Sequence, residues 1–386
     1  MAEIAGPWDA LPSSLYGTSP WLTMQEGHFA QGCAYVMVST TEGPRVATVS
    51  YTMGPSDWEL VNPVALLTRD APSPPEAGEE RNSRVENAVR LLRGAKDSLY
   101  PAAVSVLPAG YRPGLLHADD AQPAEFDAAL RLLERKASES GMPTTAVMHV
   151  PAADTKTRTA LEERGYIPFT TAADCVLDLE WESLDDYLAS FSKSRRAMFR
   201  RDIRAFRGGG FQVVPADPRS MSSKHVALLV SQMAQYGHAP DPAGITELVE
   251  RVIRHVGEAC VLLEVHRNGS LEAFVLSYED NGILQPRMLG LDPEARKHSV
   301  YLNLVYYELI AHGIRTGAQG ISYGPETYEA KALRGCRPDL RVNYVRLPDE
   351  YQETGRVAAE AVDFAHRLYI RNQPWRNTPD VPARAG

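Results

Sequence analysis

The sequence predicts a mixed α/β (α+β) protein built from two tandem copies of one unit, and three observations carry that expectation. At 386 residues the chain has room for two domains of about 150 residues each. Two stretches share one design: "YVMVSTTEGPRVATVSY" (35–51) reads as strand, turn around Glu42-Gly43 and strand, and "CVLLEVHRNGSLEAFVLSY" (260–278) repeats it with a tighter Asn-Gly turn. Each is followed by a polar break and a third apolar run, "WELVNPVALL" and then "GILQPRMLGL", at an offset of about 227 residues. A duplication accounts for this order, and chance likeness between two hairpins is the alternative.

Each further element has its own local reason. The Pro- and Glu-rich "APSPPEAGEERNS" (71–83) cannot be helix or strand as a whole. An amphipathic helix follows at "RVENAVRLLRGAKD", then a strand "AAVSVLP" and a helix "PAEFDAALRLLERKASESG" ending at Gly141. "TTAVMHV" reads as a buried strand, "ADTKTRTALEERGY" as a helix with Asp154 or Thr155 as N-cap, and "ADCVLDL" as a closing strand. The junction falls near residues 176–182, giving units 1–178 and 179–386. The second unit runs through "SLDDYLASF", a basic helix, the helices "SSKHVALLVSQMAQYG" and "GITELVERVIRHVG", the hairpin, and the long helix "SVYLNLVYYELIAHGIRTG". The strand "GISYG", then "NYVRL", the helix "YQETGRVAAEAVDFAHRLYIRN" and a Pro-rich tail complete it.

Composition excludes several function classes. The chain is 44% hydrophobic and 23% charged, as soluble globular proteins are, and has neither a run of eighteen apolar residues nor the basic-then-apolar start of a signal peptide. A cytoplasmic protein is the expectation. Cys33, Cys175, Cys260 and Cys336 are scattered, with no metal-ligand spacing, so neither a disulfide framework nor a metal site is expected. A net charge of -9 argues against general coating of nucleic acid, which needs distributed positive charge.

Against that acidic background, the fifteen residues from Lys193 to Arg207 include seven basic ones and one acid, Asp202. On a helix, Phe199, Ile203 and Phe206 fall on one stripe, while Lys193, Arg196, Arg200, Arg204 and Arg207 line its flank. Gly208 to Gly210 then end it, since glycine adopts a left-handed C-cap without penalty. The pattern suits a phosphate-bearing ligand held locally; a solvated charged face is the alternative.

In the second half, the order hairpin, third strand, long helix, short strand and "GPETYEAKALRGCRP" resembles the GNAT superfamily, in particular its duplicated branch of Fem-type aminoacyl transferases and FemAB-like proteins. "LYGTSPWL", "YPAAVSVLPAGYRPGLL" and the basic "KSRRAMFRRDIR" resemble that branch as well, so the likeness spans nearly the whole chain. It implies two tandem GNAT-like domains, each a mostly antiparallel mixed sheet flanked by helices, the first degenerate and supporting, the second catalytic. One departure stands out. Acetyl-CoA-dependent GNAT enzymes bind pyrophosphate on a glycine-containing loop, and the corresponding "PEARKHSVYLN" has no glycine. Arg296 and Lys297 there can still attract phosphate. Fem-type relatives use aminoacyl-tRNA, so the resemblance implies that donor as co-substrate, with the tRNA acceptor end as partner, no permanently bound cofactor, and a small amine acceptor.

Acyl transfer to an amine needs a free amine, a stabilised oxyanion and a proton for the leaving group. The sequence has no G-x-S-x-G and no Cys-His arrangement, so direct attack without a covalent enzyme intermediate is the expected route. By similarity to a lysine before the glycine in Fem-type enzymes, Lys331 is expected to supply the cation, with Arg334 assisting. Glu326 or Glu329 can accept the ammonium proton and Tyr323 can protonate the leaving hydroxyl; Glu326 equally suits a helix start after Gly324-Pro325. Tyr278, Glu279 and Arg287 flank the expected cleft, with Arg287 suited to a substrate carboxylate, and Tyr236 and His238 lie on the loop "YGHAP". An acyl-CoA-dependent N-acyltransferase, and a noncatalytic binder of RNA or a cell-wall precursor, are the rival readings.

Overall fold

The structure, a computed structural model, describes residues 1–30, 32–69 and 79–375. The tail from 376 and residues 71–78 of the Pro- and Glu-rich stretch lie outside the described residues.

In the first half, α1 (Ser19–Gln25) precedes the antiparallel hairpin of β1 (Cys33–Thr40) and β2 (Gly43–Met53). The third apolar run of this half is not a strand: Asn62 accepts the Ala65 N–H at 3.2 Å and Pro63 opens a short helix, α2 (Pro63–Leu67). Proline's fixed φ suits the first helical position, where its missing N–H would have no partner anyway. Then come α3 (Glu79–Gly94), β3 (Ala102–Ser105), β4 (Leu115–His117), α4 (Pro123–Glu139) and β5 (Thr144–Pro151). Asp154 caps α5 (Thr155–Glu163) by accepting the Thr157 N–H at 3.1 Å, and β6 (Ile167–Asp178) follows.

The second half begins with α6 (Leu184–Ala189) and the basic helix α7 (Lys193–Gly208). Next is β7 (Gln212–Ala216), a strand the sequence hid behind Pro215; it ends its sheet, where a missing N–H is tolerated. Helices α8 (Ser223–Gln235) and α9 (Pro242–Val256) lead to β8 (Cys260–Arg267), β9 (Ser270–Asp280) and β10 (Ile283–Leu291). The long helix expected after them is broken: a turn at Val300–Leu302, a π-helical turn at Asn303–Glu308, then α10 (Leu309–Thr316). β11 (Gly320–Ser322), α11 (Tyr328–Ala332), β12 (Arg337–Arg346) and α12 (Asp349–Arg371) complete the described chain.

These elements form two compact units, residues 1–174 with 325–332 and 337–386, and residues 175–324 with 333–336. The division is thus not one cut at 178/179, because residues 337–386 join the first unit. In the first unit the strand order is β1-β2-β3-β5-β12-β6, with β4 beside β2. β2 pairs antiparallel with β1 and β3, β5 runs parallel to β3, and β12 is antiparallel to β5. The second unit repeats that logic: β9 is antiparallel to β8 and β10, β11 is parallel to β10, and the end of β6 is antiparallel to β11. The run is closed in each unit by a strand from the other half of the sequence. The core of the first unit lies under α4, where Phe126, Leu130 and Leu133 meet Val147, Leu161 and Tyr344.

Candidate active site

The basic helix is built as its pattern requires, with one exception. Ser192 caps it by accepting the Arg195 N–H at 3.5 Å; Phe199 and Phe206 are buried, and Ile203 is half-buried. Gly209 ends it in right-handed backbone, and the left-handed turn falls one residue later at Gly210, φ +75°. Lys193, Arg200, Arg204 and Arg207 are exposed and make no ion pair among the described residues. Arg196 is the exception: its guanidinium donates to the carbonyls of Ala189 and Phe191 at 3.1 and 2.6 Å, so it closes the end of α6. Asp202, the single acid, is buried and accepts the Tyr307 hydroxyl at 3.2 Å, while its carbonyl accepts Asn303 Nδ2 at 3.1 Å.

Those two contacts tie α7 to the π-helical turn, and the turn builds an aromatic cluster inside the second unit. Extra π turns frequently mark functional positions, because they shift the side chains that follow. Here Tyr306 and Tyr307 lie within the π turn, both buried. The Arg334 guanidinium, itself buried, lies 4.4 Å from the Tyr306 ring centroid and 5.9 Å from those of Phe199 and Tyr307. A desolvated cation on an aromatic face is worth on the order of 2 kcal/mol. Tyr187 donates its hydroxyl to the Arg334 carbonyl at 3.0 Å, fixing the loop that carries it. Tyr323 packs on Tyr306 with centroids 4.9 Å apart, and its buried hydroxyl has no hydrogen-bond partner. Burial pushes the phenols of Tyr323, Tyr306 and Tyr307 well above their ordinary range, so all three stay protonated.

Within the first unit, Lys331 is buried on α11 and donates to the Pro325 carbonyl at 2.8 Å. Glu326 and Thr327 both take left-handed backbone, φ +66° and +46°, and α11 starts only at Tyr328. Glu326 is therefore not a first-turn residue, as the sequence suggested; it belongs to a strained turn, and both it and Glu329 are exposed. Tyr328 accepts the Ala173 N–H at 3.0 Å.

The remaining candidates of the second unit divide by their partners. Arg287 does not hold its fork open: it donates to the Ser322 carbonyl at 3.0 Å and to Gln285 Oε1 at 2.9 Å, stapling β10 to β11 just past their short parallel pairing. Arg296 reaches Gln232 at 2.5 Å, and Lys297 pairs with Glu294 at 2.6 Å. Tyr278 is buried, Glu279 exposed, and Tyr236 and His238 lie exposed after α8. The sequence reading missed Tyr306, Tyr307 and the π turn. Their trace was the doubled tyrosine in an apolar helix, which reads equally as core. Among the described residues, no group of three or more His, Cys, Asp and Glu is arranged to hold a metal, and no helix is long and apolar enough to cross a membrane.

Antiparallel hairpin, third strand, helix and parallel strand, with an antiparallel closing strand, define a GNAT-type acyltransferase fold, and residues 193–332 match the acetyltransferase (GNAT) domain family. FemX shares the fold over 92% of this chain and 98% of its own, with a TM-score of 0.60 at 10% identity. The C-terminal domain of a protein assigned as a lysylphosphatidylglycerol synthetase, from Agrobacterium fabrum, aligns over 91% of this chain and 94% of its own, with a TM-score of 0.52 at 10% identity. At such identities the likeness is one of fold. No curated protein matches the chain.

Proposed function

We propose that this GNAT-type acyltransferase forms an amide bond on a small amine or amino-acid-like acceptor, and that its donor is an aminoacyl-tRNA. The observation that carries the reading is the exposed face of α7: Lys193, Arg200, Arg204 and Arg207 stand without ion pairs on a chain of net charge -9. Unpaired cations on one face of an acidic protein attract one polyanion locally and in a salt-sensitive way. The loop at 293–303 adds support, because it has no glycine to admit a pyrophosphate to its backbone and both its cations already have protein partners. Lys331 supplies positive charge to the oxyanion in this reading, as the cation that the family resemblance singles out. The acceptor amine attacks the aminoacyl ester directly; its C–O bond breaks, and the tRNA hydroxyl leaves with the proton.

The test offers radiolabelled aminoacyl-tRNA pools and a panel of acyl-CoAs side by side, with a metabolite extract as acceptor. Label should pass from tRNA to a small, base-stable product. Transfer from acyl-CoA alone would move the donor assignment to the CoA-dependent class, and turnover with neither would leave a noncatalytic binder.

A further inference from the structure

The chemistry proposed above gives no task to the tyrosine cluster of the second unit. Tyr323 directly follows β11; its ring packs 4.9 Å from that of Tyr306, and its hydroxyl is buried without a hydrogen-bond partner. A hydroxyl left unpaired away from water is destabilising, and phenylalanine would make the same ring contact without it. Burial keeps the phenol protonated, so it has a hydrogen to donate. The buried Arg334 guanidinium lies 4.4 Å from the same Tyr306 ring, and its positive charge reaches the Tyr323 phenol. Tyr307 is already committed, since its hydroxyl donates to Asp202 at 3.2 Å. Tyr301, half-buried, meets Tyr306 edge-on at 6.3 Å and brings the cluster to the surface of the unit.

We propose that Arg334 and Tyr323 form the carboxylate-binding end of the acceptor site, so that the acceptor is an amino acid or short peptide with a free carboxylate. The amine of that acceptor rests on the amide-forming reading; its carboxylate rests on this cluster. A guanidinium, which stays charged, selects a negative group, and a phenol that can only gain by donating selects an oxygen acceptor. A carboxylate meets both demands: it accepts the Tyr323 O–H and one of the five Arg334 N–H groups, each as a charge-assisted hydrogen bond. Its single charge also matches the single cation of the cluster, whereas the second charge of a phosphate would have no counterpart there. The aromatic rings under Arg334 exclude water from the contact, which strengthens it and sharpens the choice between ligands. A C-terminal amide lacks the charge and turns a donor toward two donors, so it is rejected.

The test uses the whole protein without any donor. It is titrated with the proteinogenic amino acids, with dipeptides, and with the C-terminal amides of both, following the melting temperature and then the dissociation constant by calorimetry. At least one carboxylate ligand is expected to bind, with its amide at least ~10-fold weaker. Tyr323→Phe should bind that ligand at least ~10-fold more weakly, while its ligand-free melting temperature stays at or above the parent's, because the substitution removes an unpaired hydroxyl. A panel without a binder, or amides that bind as tightly as the acids, overturns the proposal without reference to any variant. Equal affinity in Tyr323→Phe overturns it too and leaves the tyrosine a packing residue. The outcome is separable from the donor assignment: carboxylate-selective binding without transfer from tRNA would keep this site and remove that donor, and transfer from tRNA to an amine lacking a carboxylate would do the reverse.

Discussion

His149 lies in β5 with left-handed backbone, φ +60°, is 1% exposed, and has no hydrogen-bond partner for either ring nitrogen. Its N–H donates to Asn343 Oδ1 at 3.0 Å where the register between β5 and β12 slips, so a bulge turns the side chain inward. Burial, reinforced by the Arg341 charge, holds the imidazole's pKa down at about 3. The folded chain thus keeps His149 neutral while the unfolded chain protonates it near its ordinary value of roughly 6.5. Between those values the unfolded state binds more protons, so stability present above pH ~6.5 is lost as pH falls toward 3, at a ceiling of roughly 1.4 kcal/mol per unit. Asparagine accepts left-handed backbone and does not titrate. The gap between urea midpoints at pH 7 and pH 4.5 should narrow in His149→Asn, and an unchanged gap would assign the acid sensitivity to other groups. "TTAVMHV" reads correctly as a buried strand, but the bulge was not legible, because the side chain that holds it lies 194 residues along the chain. Lys331 was singled out by resemblance and lies buried against Pro325. Lys331→Ala is expected to lower kcat by on the order of 10² to 10³ with a smaller change in acceptor KM. Steady-state kinetics on the parent and variant check this, and an unchanged kcat would leave the lysine only its contact with the turn.

At the scale of one element, α7 shows what periodicity can and cannot reveal. The stripe of Phe199 and Phe206 was legible because burial follows helical spacing, and so was the exposure of Arg200, Arg204 and Arg207. Arg196 shares that spacing, yet it serves the neighbouring helix, since the Ala189 and Phe191 carbonyls at the end of α6 lie within its reach. The two kinds of arginine should separate by experiment. Replacing Arg200, Arg204 and Arg207 together by Gln should leave thermal stability near the parent's while raising KM for the tRNA donor and flattening its salt dependence, because fewer counterions are released. Arg196→Gln should lower stability by up to about 1.5 kcal/mol for its hydrogen bonds to a partly solvated carbonyl pair, and with it the melting temperature, and leave the salt slope alone. Kinetics at two or three salt concentrations, paired with thermal melts, read both; equal salt slopes in the triple variant and parent would make α7 a solvated face.

For the molecule as a whole, the order of hairpin, third strand, helix and short strand was legible in the second half, since local patterns specify it, whereas in the first half the third strand is Ala102–Ser105 and not the run "WELVNPVALL" that the repeat pointed to. What remained hidden was the exchange of closing strands, which is set by pairing between distant segments. β12 pairs with β5 from Arg341 opposite Pro151 to Arg346 opposite Thr145, and the end of β6 pairs with β11 from Asp178 opposite Gly320 to Val176 opposite Ser322. A chain divided at 178/179 therefore takes β12 and α12 away from β5, and takes the end of β6 away from β11. Fragment 1–178 would carry β5 with an unpaired edge; fragment 179–386 would expose the face of α12 on which Ala358, Ala359, Val362 and Ile370 are buried. Unpaired edges and open apolar faces favour association with other chains over folding. Each fragment produced alone should lack a cooperative thermal transition or aggregate, whereas the two produced together should form a complex that melts cooperatively. The exchanged strands are then what makes one folding unit of the chain. A soluble fragment 179–386 with dispersed amide resonances would contradict this, and would show that the second half closes its sheet without β6.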